Sequence, residues 1–152
     1  MKKYAWIAVL TVIADQVVKL LARGLTGSVT LIPGLLGLKY AQNTGMAFSM
    51  LSGQSWLLGL LSGVLIVLGW RVLRRYRLGR WSRIAAMLML GGAVGNMIDR
   101  LLLGYVIDMF EVLAFRFAIF NVADAALSVG CALMALTLLC CPEDWREKHA
   151  ED

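Results

Sequence analysis

Long stretches of this chain carry no charged residue, among them Tyr4 to Ala14, Tyr40 to Trp70, Ile84 to Ile98 and Ala125 to Pro142. A helix needs roughly 20 mostly apolar residues to cross the ~30 Å hydrocarbon core of a bilayer. The chain has 152 residues, 60% hydrophobic and 16% charged, against about 45–50% and about 25% for a soluble domain. Four spans with their connections account for the chain, leaving no room for a soluble domain. The expected fold class is therefore an all-α integral membrane protein, a single domain over residues 1–152. Its four transmembrane helices are expected at about residues 4–22, 55–73, 83–102 and 118–141.

The formal net charge is +5, and its placement says more than its sum. Arg71, Arg74, Arg75, Arg77, Arg80 and Arg83 fill the stretch between the second and third blocks, and Lys2 and Lys3 precede the first. The positive-inside rule puts both regions in the cytoplasm, and four spans then return the C-terminus there. An arginine cluster also suits nucleic acid, but between two spans it reads as a topology signal, and no nucleic-acid partner is expected. Cys131, Cys140 and Cys141 show neither metal spacing nor a disulfide framework and read as buried apolar thiols. "KK" before an apolar run imitates a signal peptide. Asp15 and Lys19 interrupt that run and no A-x-A site follows, so an uncleaved span is expected.

Between the first two spans lies "GLTGSVTLIPGLLGLKYAQNTGMAFSM", too rich in glycine and proline for a helix and suited to short strands. A small extracytoplasmic strand-rich segment is expected there. The second outer connection, from Leu103 to about Phe117, is read as a short loop, and "PEDWREKHAED" with the single His149 as a polar, frayed end. Gly59/Gly63 and Gly91/Gly95 have the spacing that lets helices approach closely.

Five of the ten acidic residues belong to that tail; the others are Asp15, Asp99, Asp108, Glu111 and Asp124. The alternating directions of the spans bring these five to one side of the membrane. At 1.5 Å per residue, Asp15 falls about 10 Å and Asp124 about 9 Å below the outer ends of their spans. Charged groups within spans usually face the bundle interior and mark a functional site. Asp15 has Lys19 at i+4, and Asp99 is followed by Arg100. Such cations hold a carboxylate ionised, which suits a structural role. Asp108 and Asp124 have no local cation, although Arg116 is within reach of either and Glu111 is one helical turn from Asp108.

Two carboxylates facing each other at ~4 Å repel by about 4 kcal/mol at an effective dielectric of 20. That corresponds to roughly three pKa units, so the pair shares one proton. One member then activates water while the other polarises a carbonyl, the condition of aspartic proteases. Asn96 and Asn121 precede Asp99 and Asp124 by three residues, on the same helical faces if the helices continue. Asn43 lies in the outer loop, and amides that both donate and accept suit a peptide backbone. Two other readings remain open from the residues alone: an ion-coupled transporter, and a structural subunit whose aspartates meet a partner's cations. The first expects polar groups across the whole membrane depth, whereas here they gather on one side.

Asp15-Gln16-x-x-Lys19, "NTGMAFS" at 43–49, "GGAVGNMIDR" at 91–100, "VID" at 106–108 and "FNVAD" at 120–124 together resemble the lipoprotein signal peptidase family. The motifs come in that family's order and cover nearly the whole chain. The resemblance implies an intramembrane aspartic endopeptidase of the bacterial inner membrane, with its site facing the outer leaflet. Such enzymes cut diacylglyceryl prolipoproteins just before the lipidated cysteine. It implies Asp108 and Asp124 as catalytic residues, and Asn43, Gly45, Asn96, Arg100 and Asn121 as substrate-contact or site-shaping residues. Asp15, Lys19 and Asp99 are implied as supporting groups. No metal or other cofactor is implied, and a monomer among membrane lipids is expected. Only 15 residues separate Asp108 from Asp124, fewer than in some members, which bears on loop contacts to substrate.

Overall fold

The computed structural model describes residues 1–45, 53–114, 119–142 and 145–147. Among the described residues four helices are long and apolar enough to cross a membrane: α1 (Ala5–Ala22), α2 (Ser55–Leu73), α3 (Arg80–Leu102) and α4 (Val122–Cys140). A 3₁₀ turn, Lys2–Tyr4, leads into α1. Their outer faces are strongly apolar, with Leu21, Leu102 and Leu139 at 70, 78 and 80% exposure, as lipid contact requires. Cys131 and Cys140 lie on that exposed surface, which corrects their reading as buried thiols. An apolar residue in a membrane helix has no reason to turn inward, because lipid is as apolar as a core.

Association of such helices rests on close packing rather than on the hydrophobic effect. α3 is the central helix and packs against all three others. Its buried face is built from small residues, among them Ala85, Ala86, Gly91, Gly92 and Gly95. A methyl group on Gly91 would meet the Thr11 side chain at 2.6 Å, and one on Gly95 would meet Asp15 Oδ2 at the same distance. Those two glycines let α1 close on α3. α2 and α4 both pack on α3, and a groove between them is lined by all three.

Three antiparallel strands cover one end of the bundle in the order β1-β2-β4: β1 (Val29–Ile32), β2 (Leu36–Asn43) and β4 (Val106–Val112). Pro33 and Gly34, the latter at φ 70°, make the turn between β1 and β2. The strand-rich segment after the first span is thus present. The connection after α3, however, is a strand and not merely a short loop. Gly104, at φ 79°, ends the helical run, and β-branched Val106 and Ile107 follow in extended form. Ile107 and Met109 pack in an apolar cluster with Ala22, which leaves the intervening Asp108 on the opposite face of the strand. Glu111, three residues further along a strand, alternates away from Asp108 and is not its neighbour by one helical turn.

A second, two-stranded sheet lies at the other end of the bundle, where β3 (Tyr76–Leu78) pairs with β5 (Trp145–Glu147). Trp145–Glu147 of the tail are therefore paired in a strand and not frayed, and the Tyr76 and Trp145 rings meet edge to face at 5.8 Å. His149 lies outside the described residues. The fourth helix starts at Val122, not at 118, because Phe110 and Phe120 form a bridge that holds the approach extended. Phe120 N donates to Phe110 O at 3.0 Å and Phe110 N to Phe120 O at 2.8 Å.

Candidate active site

The bridge delivers Asn121 to the N-cap of α4, with Asp124 in the first helical turn. Asp124 is therefore at the mouth of the helix and not about 9 Å into it. Asn121 Oδ1 accepts from Asp124 N at 2.8 Å, and Asp124 Oδ2 accepts from Asn121 N at 3.3 Å. Such a reciprocal box satisfies helix N–H groups that otherwise have no partner. The same cap reaches across to the strand: Asn121 Nδ2 donates to Asp108 Oδ1 at 2.7 Å. One fully buried residue thus joins both carboxylates, Asp108 through its side-chain amide and Asp124 through its backbone N–H. Asn96, from α3, adds a second link, donating to Asp124 Oδ1 at 2.7 Å and accepting from Asn121 Nδ2 at 3.1 Å.

Asp108 receives its other hydrogen bond from Asn43 Nδ2 at 3.1 Å. Strand register explains the contact, since Ala41 lies opposite Asp108 and Asn43 is two residues on, on the same face. Asn43 Oδ1 accepts from Gly45 N at 3.0 Å, and Gly45 O accepts from Arg100 at 3.3 Å. Burial first, and then the charge of Asp124, pushes the Asp108 carboxyl up to about 6, while Asn43, Asn121 and Lys19 pull the other way. A carboxyl in this position carries a proton for part of the time near neutral pH.

Asp15, Lys19 and Asp99 form a buried ion triad, with Lys19 Nζ at 2.8 Å from Asp15 and 3.0 Å from Asp99. Each aspartate also holds one backbone N–H. Asp15 accepts from Ala123 N at 2.9 Å, and Asp99 from Ile107 N at 3.0 Å. Ala123 directly precedes Asp124, and Ile107 directly precedes Asp108. The triad therefore anchors the backbone beside each member of the pair, and Lys19 also donates to Asn96 at 3.0 Å.

Two features of the site differ from the reading of neighbours in sequence. Asp99 takes its cation from Lys19 on another helix, not from Arg100. Arg100 instead interacts electrostatically with Asp124 most strongly, then with Asp108, then with Asp99. Asp124 thus has a cation through space that its sequence neighbours do not supply. Gln16 was missed as a site residue: its Nε2 lies 3.0 Å from Asp99, 3.2 Å from Asp15 and 3.2 Å from the Gly95 carbonyl. Its spacing of three from Lys19 on one helix was the available signal. Residues 46–49 of the "NTGMAFS" motif and Arg116 lie outside the described residues.

Asp124, Asn96 and Arg100 close the polar end of a cavity of about 740 Å³. The rest of its wall is mainly Leu, Ile, Met and Ala from α2, α3 and α4. Along α2 it runs from Leu58 to Leu73, about 22 Å at 1.5 Å per residue.

The model of one protein family, signal peptidase (SPase) II, matches residues 7–140. A lipoprotein signal peptidase from Latilactobacillus sakei subsp. sakei (strain 23K) is 42% identical over 141 residues, 89% of this chain and 93% of the relative. That of Streptococcus pyogenes serotype M2 (strain MGAS10270) is 40% identical over 120 residues, 77% of this chain and 74% of the relative. A bacterial membrane enzyme solved by the in meso method at 2.3 Å superposes with a TM-score of 0.86 at 29% identity, covering 99% of this chain and 96% of that one. A second, solved at 1.9 Å, gives 0.81 at 31% identity over 93% and 95% of the two chains. The fold and site define a multi-pass membrane protein with paired carboxylates at one end of its bundle. The chain belongs to the signal peptidase II family, and is thereby a protease.

Proposed function

We infer that this chain removes signal peptides from diacylglyceryl-modified prolipoproteins, cutting before the lipidated cysteine, with Asp108 and Asp124 as the catalytic pair. The observation that carries this reading is the one residue Asn121, whose side-chain amide bonds the Asp108 carboxylate and whose backbone N–H bonds that of Asp124, beside a long apolar groove. Membership of the family supports the substrate class. The apolar groove supports a substrate that is itself apolar and held in the membrane.

Chemistry follows from the unequal settings of the two groups. The Asp124 carboxylate takes a proton from water as its oxygen attacks the scissile carbonyl carbon. Asp108, in its acid form, donates its proton to the carbonyl oxygen, giving a neutral tetrahedral diol. Collapse breaks the C–N bond. The amine leaves with the proton held by Asp124, and a diol hydroxyl returns its proton to Asp108. Among the described residues Arg100 Nε is a buried donor without a hydrogen-bond partner, and its side chain lines the cavity with Asp124. It is suited to a substrate carbonyl. Asn43 and Gly45 shape the same edge.

We place the protein in the bacterial inner membrane, termini in the cytoplasm and the site toward the outer leaflet. Support comes from the arginine-rich connection at the end opposite the aspartates. One chain holds both carboxylates, so a monomer suffices. Purified protein incubated with a diacylglyceryl prolipoprotein should cleave it. Asp108→Asn and Asp124→Asn should each lower turnover by about 10³-fold or more while remaining folded. Robust turnover by Asp124→Asn would remove the catalytic assignment.

A further inference from the structure

The arginine cluster between α2 and α3 does more than set topology. Arg74, Arg77 and Arg83 converge with Lys2 on one cavity of about 550 Å³ at the end of the bundle opposite the aspartates. Arg71, Arg75 and Arg80 do not line it, and Arg80 lies over the Trp81 ring at 5.4 Å. The cluster is thus divided by the fold. Arg83 is held over the Tyr4 ring at 6.0 Å, and Arg74 and Arg77 also interact within the chain. Beneath this cationic rim the wall is apolar, formed by Trp70, Leu73 and Leu78.

Depth in the membrane identifies the ligand. Trp6 and Trp81 are the second residues of α1 and α3, and both are largely exposed, at 59 and 53%. Tryptophans in that position mark the headgroup level of a bilayer. The cavity opens among the same helix ends, with cations at headgroup depth and apolar wall where acyl chains begin. Basic pockets between membrane helices take anionic headgroups by this arrangement.

We propose that the cavity at the β3 end of the bundle binds an anionic phospholipid, its phosphate among Lys2, Arg74, Arg77 and Arg83 and its chains against Trp70 and Leu73. The headgroup site lies away from the carboxylates, with Trp70 and Leu73 shared with the far end of the groove, and does not depend on the proteolytic reading. A free phosphate shares the headgroup chemistry but not the apolar contact, which makes the two sources separable.

The test uses the full chain purified in a neutral detergent. Phosphatidylglycerol should raise its melting temperature by about 5 °C, and phosphatidylethanolamine or free glycerol phosphate should not. The Arg74→Gln/Arg77→Gln/Arg83→Gln protein should lose the response, and Arg71→Gln/Arg75→Gln/Arg80→Gln should keep it. Equal responses from the two triple variants, an equal rise with glycerol phosphate, or no rise in the parent would overturn the proposal. If a triple variant does not fold, a photoactivatable phosphatidylglycerol on the parent decides the matter. Crosslinks confined to residues 1–4 and 70–83 support the site, and crosslinks spread along all four helices sink it.

Discussion

Two pairs of aspartates occupy the same end of this bundle and live in opposite chemical settings. Asp15 and Asp99 share the Lys19 ammonium at 2.8 and 3.0 Å and spend their remaining oxygens on backbone N–H groups and Gln16. Among the described residues no ammonium pairs with Asp108 or Asp124; amides from Asn43, Asn96 and Asn121 hold them, with Arg100 acting from a distance. All four would look alike as isolated charges in apolar helices. The difference shows that buried carboxylates on one end of a bundle are compensated in two ways, by a full cation or by amide donors. A full cation compensates charge permanently, whereas amide donors orient the group and leave its proton exchangeable.

The sharpest way to break this contrast is to remove the ammonium. Lys19→Met leaves two buried carboxylates without compensation, which typically costs about 3–5 kcal/mol. Thermal unfolding should show that loss, and Asp15→Asn with Asp99→Asn in the same chain should recover a large part of it. A Lys19→Met protein as stable as the parent would mean that the triad is not what supports the pair.

A smaller effect separates the pairs by pH. The Asp108 carboxyl is raised from 3.8 to about 6, so between those values the folded chain binds more protons than the unfolded one. Stability must then fall as pH rises through that window and level off above about 6. The full change is on the order of 3 kcal/mol. Unfolding measured from pH 4 to 8 should show the slope in the parent and lose it in Asp108→Asn. Cleavage should decline above about pH 6 as the acid form of Asp108 is depleted. A parent with flat stability over this range would contradict the assignment.

The smallest effect belongs to Gln16. Gln16→Leu removes donors to Asp15, Asp99 and the Gly95 carbonyl, at about 1–3 kcal/mol for buried groups left unpaired. Because Gln16 touches neither Asp108 nor Asp124, turnover per folded molecule should fall far less than stability. A turnover loss comparable to that of Asp124→Asn would move Gln16 into the reacting site.

Legibility followed the range of each interaction. The four spans were readable because lipid imposes length and apolarity on each helix separately. Asp15 and Lys19 were readable as a pair because i,i+4 spacing on one helix places them together. Strand β4 was hidden, since "VIDM" is buried on both faces and shows none of the alternation of a half-exposed strand. Arg100 was misassigned to Asp99 because adjacency in sequence puts side chains about 100° apart on a helix. The packing of α3 against α1 and α4 brings Lys19 to Asp99 and directs Arg100 toward Asp124.

By itself the sequence determined a four-span membrane bundle, its basic and acidic ends, and the residues able to form a site, because hydropathy and charge act on each segment locally. Only the tertiary structure decided that Asp99 shares Lys19 with Asp15 and that amides hold Asp108 and Asp124. The selection depends on glycine-mediated helix approach, on the register of β2 with β4, and on the cap at Asn121, each a relation between segments far apart in the chain.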